Sequence, residues 1–174
     1  MRMVIVPGIG GSDEEHWQSE WQRATAATRI EPGSWDEPEF GDWSDALGRA
    51  ISDEPAVLVA HSLGCLLAVR WAAANPGRVA GLFLVAAPDA SGAHFPRQAV
   101  SFGGADTVTP GVPALLIASD DDPYATPAAS AALAEAWSAP LLSVGARGHL
   151  NSASGLGEWS EGRALLTAFV AGLG

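Results

Sequence analysis

The sequence predicts an α/β fold, a doubly wound and mostly parallel six-stranded sheet with helices on both faces. Short apolar runs alternate with helix-period patterns along the 174 residues, as strand–helix repeats feeding one sheet require. Several of these runs are unbroken Val/Leu/Ile stretches, expected where helices cover a strand on both sides. One of them, Val57-Leu58-Val59-Ala60, passes into a helical pattern through His61-Ser62-Leu63-Gly64 with no loop between.

Six strands are expected, in order, at Met3–Val6, Thr28–Glu31 (the weakest), Ala56–Ala60, Gly81–Ala86, Ala114–Ser119 and Leu141–Val144. Five helices lie between and after them. Ser12-Asp13-Glu14-Glu15 has the form of a capping box, with Trp17, Trp21 and Ala24 on one face of the helix that would follow. Asp42 or Ser44 can open the second helix, in which Trp43, Leu47 and Ile51 recur every four residues. The third runs from Leu63 to Ala74 and stops at Asn75-Pro76-Gly77. Thr126-Pro127 opens a fourth that ends near Trp137. The fifth spans Ser160–Ala171 with Leu165, Leu166, Phe169 and Val170 inward. Pro88–Gly111 has no clear period and reads either as a loop over a site or as a short helix pair.

Composition narrows the function classes. Apolar residues make up 48% and charged residues 17%, which suits one domain over residues 1–174. Twenty acids stand against nine bases, giving a net charge of −11, and every base is Arg. A chain without Lys has no Schiff-base or P-loop lysine, and its acidic surface repels phosphate backbones and anionic lipid. No nucleic-acid or membrane partner is expected. One Cys excludes an internal disulfide, and no cluster has metal-ligand spacing, so no metal or cofactor is expected. Met1–Pro7 reads as a strand rather than a signal peptide. No run approaches the about 18 apolar residues of a membrane span, so the expected location is the cytoplasm.

The chemistry centres on Ser62. Ala60-His61-Ser62-Leu63-Gly64 is a nucleophile elbow, G-x-S-x-G with Ala for the first Gly. In such a turn strand and helix nearly touch, so the residues two before and two after the Ser must be small. The simpler reading of Ser62 is a helix N-cap. A reactive serine needs a base and an orienting acid, in the chain order Ser, acid, His. Of His16, His61, His94 and His149, only His149 follows the last strand, behind Gly148. Its alternative is a surface-loop His. The acid should follow the preceding strand, where Asp120-Asp121-Asp122-Pro123 stands. Pro123 keeps Asp122 extended, which favours Asp122 for the role and leaves Asp120 and Asp121 to solvent or to the loop. Two backbone donors are needed for a developing oxyanion: the amide of Leu63, and the amide of Ile9 in Pro7-Gly8-Ile9-Gly10-Gly11. A Gly-rich first turn also suits a nucleotide, but the G-x-G-x-x-G spacing is missing. Cys65 reads as buried packing. Phe95 and Phe102 line an acyl pocket or belong to the core.

These motifs together resemble the α/β-hydrolase fold, and their details are similar to its small, lidless branch of serine hydrolases around retinoblastoma-binding protein nine and bacterial YdeN. The matching stretches are Val6–Ser12 with His16-Trp17, Ala60–Cys65, Ser119–Pro123 and Gly148–Trp159, the last being the most specific. Ala60 and Ser160 depart from the pattern, standing for Gly and Pro. The resemblance implies a minimal fold without a cap domain and Ser62, Asp122 and His149 as a catalytic triad. It does not supply a substrate. The expected function is hydrolysis of small carboxylic esters or amides through an acyl-enzyme on Ser62. A non-catalytic ligand- or protein-binding module, and an acyltransferase using the same triad, are the alternatives; a protein partner is not legible.

Overall fold

The computed structural model describes residues 1–52 and 54–174. Six strands, β1 (Arg2–Val6), β2 (Thr28–Arg29), β3 (Ala56–His61), β4 (Val79–Val85), β5 (Ala114–Ala118) and β6 (Leu141–Ser143), form one sheet in the order β2-β1-β3-β4-β5-β6. Every neighbouring pair is parallel. The order reverses between β1 and β3, the place where ligands bind in open α/β sheets. Five helices accompany it: α1 (Trp17–Thr25), α2 (Phe40–Ala50), α3 (Leu63–Ala74), α4 (Pro127–Ala136) and α5 (Ser160–Ala171). The connection from β4 to β5, which by sequence suits either a loop or a helix pair, carries two short 3-10 turns at Arg97–Phe102 and Ala105–Thr107.

The unbroken apolar strands serve two cores, because alternate side chains leave opposite faces of the sheet. Leu58, Ala60 and Leu84 join residues of α2, α3 and α4 on one side. Val57, Val59, Phe83 and Val85 join Trp17 and Trp21 of α1 and Leu166 of α5 on the other. Leu165, Phe169 and Val170 pack against this second core as their spacing requires.

Two helix starts differ from the sequence reading. Ser12 does not cap α1; its backbone sits at φ 60°. Arg29, on β2, donates to the carbonyls of Gly11 and Ser12 and holds this stretch as a loop. The cap is His16, whose Nδ1 accepts from the Gln18 amide at 3.1 Å. Gln18 is fully buried and its own side chain donates to the Val59 carbonyl within β3 and the Val6 carbonyl at the end of β1, at 3.0 and 3.4 Å. That tie fixes where the helix begins. Its inward face is therefore Trp17, Gln18 and Trp21, while Ala24 is exposed. Helix α2 starts at Phe40 rather than Asp42 or Ser44, because Glu39 accepts from the Asp42 amide and the Asp42 carboxylate is taken by the Gly33 amide at 2.7 Å.

Candidate active site

Ser62 occupies the turn from β3 to α3 with φ 53° and ψ −126°. A non-glycine residue there carries strain of about 1–3 kcal/mol, which the packing around it must hold. The turn is as tight as the motif demands. A Cβ on Gly64 would lie 2.5 Å from the Pro7 carbonyl oxygen and closer still to that of Val6, and one on Gly8 would lie 2.8 Å from the Ser62 Cβ. The Ser62 hydroxyl does not cap α3. It lies 2.8 Å from Nε2 of His149 instead.

His149 follows β6, and its Nδ1 is 2.9 Å from both carboxylate oxygens of Asp122, which follows β5. The pair is sheltered, with 9% and 3% of the two side chains exposed. One Asp122 oxygen also accepts from the Tyr124 amide at 2.9 Å, which fixes the carboxylate's direction. The structure thus brings Ser62, His149 and Asp122 into one hydrogen-bonded chain. The other two acids hold the loops. Asp121 accepts from the Gly148 amide at 2.7 Å and the Ser119 hydroxyl at 2.8 Å. Those bonds, the Gly148 amide foremost, hold its pKa below the usual value. Asp120 accepts from Ser143 at 2.6 Å. The His149 loop is tied from the other side by two ring donors: Trp17 Nε1 to the Leu150 carbonyl at 2.8 Å, and His61 Nε2 to the His149 carbonyl at 2.9 Å.

A cavity of about 500 Å³ opens over this chain. Ile9 and Leu63 line it together with Ser62 and His149. Its side wall is Pro88, Pro96 and Gln98 from the β4–β5 connection, and Tyr124, whose ring centre is 4.5 Å from that of His149. Phe95 and Phe102 are not in this wall. Phe102 is fully buried, edge-on to Trp43 and Phe40, and Phe95 packs against the same core. Neither Lys nor Arg lines the cavity. Cys65 is buried, its thiol donates to the Val85 carbonyl at 3.3 Å, and burial raises its pKa, so packing is its place. His94 stands apart, exposed in the β4–β5 connection.

The residue reading missed His16 and His61. Both line the cavity, and both are buried. Burial lowers the pKa of His16 to about 4 and that of His61 well below the ordinary imidazole value. Strand alternation could have placed His61, since Val57, Val59 and His61 share a face, the face under the His149 loop. Among the described residues no group of three or more His, Cys, Asp or Glu side chains could hold a metal ion. No described helix is long and apolar enough to cross a membrane.

Comparison with known proteins gives a family and a fold. The model of a family described as serine hydrolase matches residues 3–168. A YdeN-like hydrolase of Pectobacterium atrosepticum is 32% identical, with 99% of this chain and 91% of that one covered at a TM-score of 0.87. The ydeN gene product of B. subtilis is 24% identical over 98% of this chain and 100% of its own, TM-score 0.73. The monoacylglycerol lipase of Paleococcus ferrophilus shares the fold at 14% identity, with 97% and 93% of the chains covered and a TM-score of 0.75. Among curated proteins nothing matches the sequence.

Proposed function

The chain belongs to the serine hydrolase family, and from that premise we propose that it cleaves small carboxylic esters or amides through an acyl-enzyme on Ser62. The observation that carries the reading is the continuous chain from the Ser62 hydroxyl through His149 to Asp122, at 2.8 and 2.9 Å, at the floor of an open cavity.

The hydrogen-bond roles set the order of events. A carboxylate only accepts, so the proton on the imidazole faces Asp122 and Nε2 is left to accept from Ser62. Ser62 Oγ attacks the substrate carbonyl carbon as its proton passes to Nε2 of His149. The carbonyl oxygen becomes an oxyanion that takes hydrogen bonds from the Leu63 and Ile9 amides. Asp122 stabilises the imidazolium. That imidazolium protonates the leaving alcohol or amine, and the bond to the leaving group breaks. Water then attacks the acyl-Ser62 and gives its proton to His149, which passes it to Ser62 Oγ as the acyl–oxygen bond breaks and the acid leaves. Side chains, two amides and water suffice for these steps.

Labelling with a fluorophosphonate, beside hydrolysis of a panel of esters and aminoacyl amides of graded acyl length, tests the proposal. Wild type is expected to label and to hydrolyse short esters, and Ser62→Ala to do neither. An unlabelled wild type, or equal turnover by Ser62→Ala, overturns it.

A further inference from the structure

Three imidazoles stand in a row beside the nucleophile, and the mechanism above uses one of them. The His149 and His61 ring centres are 4.9 Å apart at 57°, and those of His61 and His16 are 4.7 Å apart at 67°. His61 is 4% exposed, and among the described residues its side chain's one hydrogen bond runs from Nε2 to the carbonyl of His149. A carbonyl only accepts, so Nε2 carries the proton and the neutral ring leaves Nδ1 bare.

We propose that His61 is a positioning residue for the reaction: its Nε2–H holds the His149 backbone, so that base and nucleophile hang from consecutive residues of one strand end. This rests on the catalytic roles given above to Ser62 and His149. His61 ends β3 and Ser62 follows it directly. His149 is therefore gripped twice by the same dipeptide, at its carbonyl by His61 and at its Nε2 by Ser62. Any shift of the strand end carries both reacting partners together, and the 2.8 Å contact is preserved.

The loop needs such a grip. His149 lies between Gly148 at φ 63° and Leu150 at φ 50°, two left-handed residues in a stretch with no regular structure. A leucine in that conformation is strained and stays only where neighbours over-determine it. Trp17 holds the Leu150 carbonyl and His61 the carbonyl before it. The neutrality of His61 matters as well. His149 takes up a proton in each half-reaction, and a second cation 4.9 Å away would oppose that charge. Burial first, then the neighbouring His149 and His16, keep the His61 ring uncharged. His16 behind it is neutral chiefly because burial disfavours the charged ring, and its bare Nδ1 accepts from Gln18.

The test compares His61→Gln with His61→Phe. Gln carries a side-chain N–H at about the reach of the imidazole Nε2 but lacks the ring; Phe keeps the ring and its packing but has no donor. The positioning role predicts that His61→Phe lowers kcat by about a hundredfold, the cost of a misplaced reacting group. KM stays within about threefold of wild type, fluorophosphonate labelling of Ser62 slows in step with kcat, and His61→Gln recovers most of the loss. A residue that only fills space gives the opposite order, Phe better than Gln, and that result overturns the proposal. Should either variant fail to fold, nitrogen-15 histidine NMR of the unaltered protein decides. His61 is expected as the neutral Nε2–H tautomer at pH 7 with a hydrogen-bonded proton, and an Nδ1–H or charged ring overturns the proposal. Ser62→Ala separates the two levels. If it stays active, the catalytic reading fails; if it is inactive while His61→Phe matches wild type, only the role of His61 fails.

Discussion

Acidification should soften this protein before its carboxylates titrate, and His16 sets most of the window. His16 is 3% exposed and caps α1 through a bare Nδ1. Its pKa falls from the ordinary 6.5 to about 4 because burial disfavours the charged ring. The unfolded chain therefore binds a proton at pH values where the folded chain does not. Stability is full above pH 6.5 and is lost as pH falls toward 4. Each unit of pH costs about 1.4 kcal/mol per such proton, about 3 kcal/mol across the window. That is a large share of the roughly 5–15 kcal/mol that holds a domain folded. His61 shifts in the same direction and steepens the slope. Asp13 and Asp121 have lowered pKa values, so what they contribute is lost only near and below the usual carboxylate range, under this window. Urea unfolding followed by tryptophan fluorescence at pH 7.0, 6.0, 5.0 and 4.5 (about one step per unit, to resolve the slope) measures the effect. His16→Asn keeps a capping side chain without the titration, so its curve should be flatter and approach wild type in acid. A wild type with level stability from pH 6.5 to 4.5, or a variant with the same slope, refutes the reasoning.

Three further outcomes follow from the geometry. Asp122→Asn can no longer stabilise the imidazolium and favours the wrong His149 tautomer, so kcat for ester hydrolysis should fall by about 10⁴ with little change in the thermal midpoint. Gly64→Ala puts a methyl group against the Val6 and Pro7 carbonyls, which belong to β1 and its end and cannot swing aside. It should destabilise by about 3 kcal/mol, at the upper end of overpacking, read as a lowered urea midpoint. The cavity wall has no Lys or Arg and the chain carries a net charge of −11. A hemisuccinate ester should therefore turn over about tenfold more slowly than a neutral ester of equal length at low ionic strength, and added salt should narrow the gap.

The features legible in the sequence were those with a local physical cause. Fully apolar runs announced strands covered on two sides, and Ala60 and Gly64 around Ser62 announced a turn with no room for larger side chains. Pro123 marked which of three adjacent acids would face the sheet rim. The features that were not legible depend on partners far away in sequence. Ser12-Asp13-Glu14-Glu15 satisfies a capping pattern by itself, yet Arg29 draws its backbone into a loop and the buried Gln18 amide sets the helix start four residues on. The acyl-pocket reading of Phe95 and Phe102 failed for a similar reason. A region without periodicity does not say which of its side chains turn toward the core, and Trp43 and Phe40 of α2 claim Phe102.

Parallel topology explains how residues 62, 122 and 149 meet. Each follows the C-terminal end of a strand, and in a parallel sheet those ends share one rim. Rim placement alone brings side chains only into the same neighbourhood; a 2.8 Å contact needs the loops fixed as well. Asp121 and Ser119 fix the His149 loop from the β5 side, and Trp17 and His61 fix it from beneath. The support from beneath includes the His61 imidazole, which like its neighbour His16 is kept neutral by burial. Acid sensitivity and the proposed positioning of the base therefore share one physical origin. Replacing His16 or His61 by residues that do not titrate should separate them: the loss of stability between pH 7 and acid should shrink in both, while only the loss of the His61 donor should slow turnover.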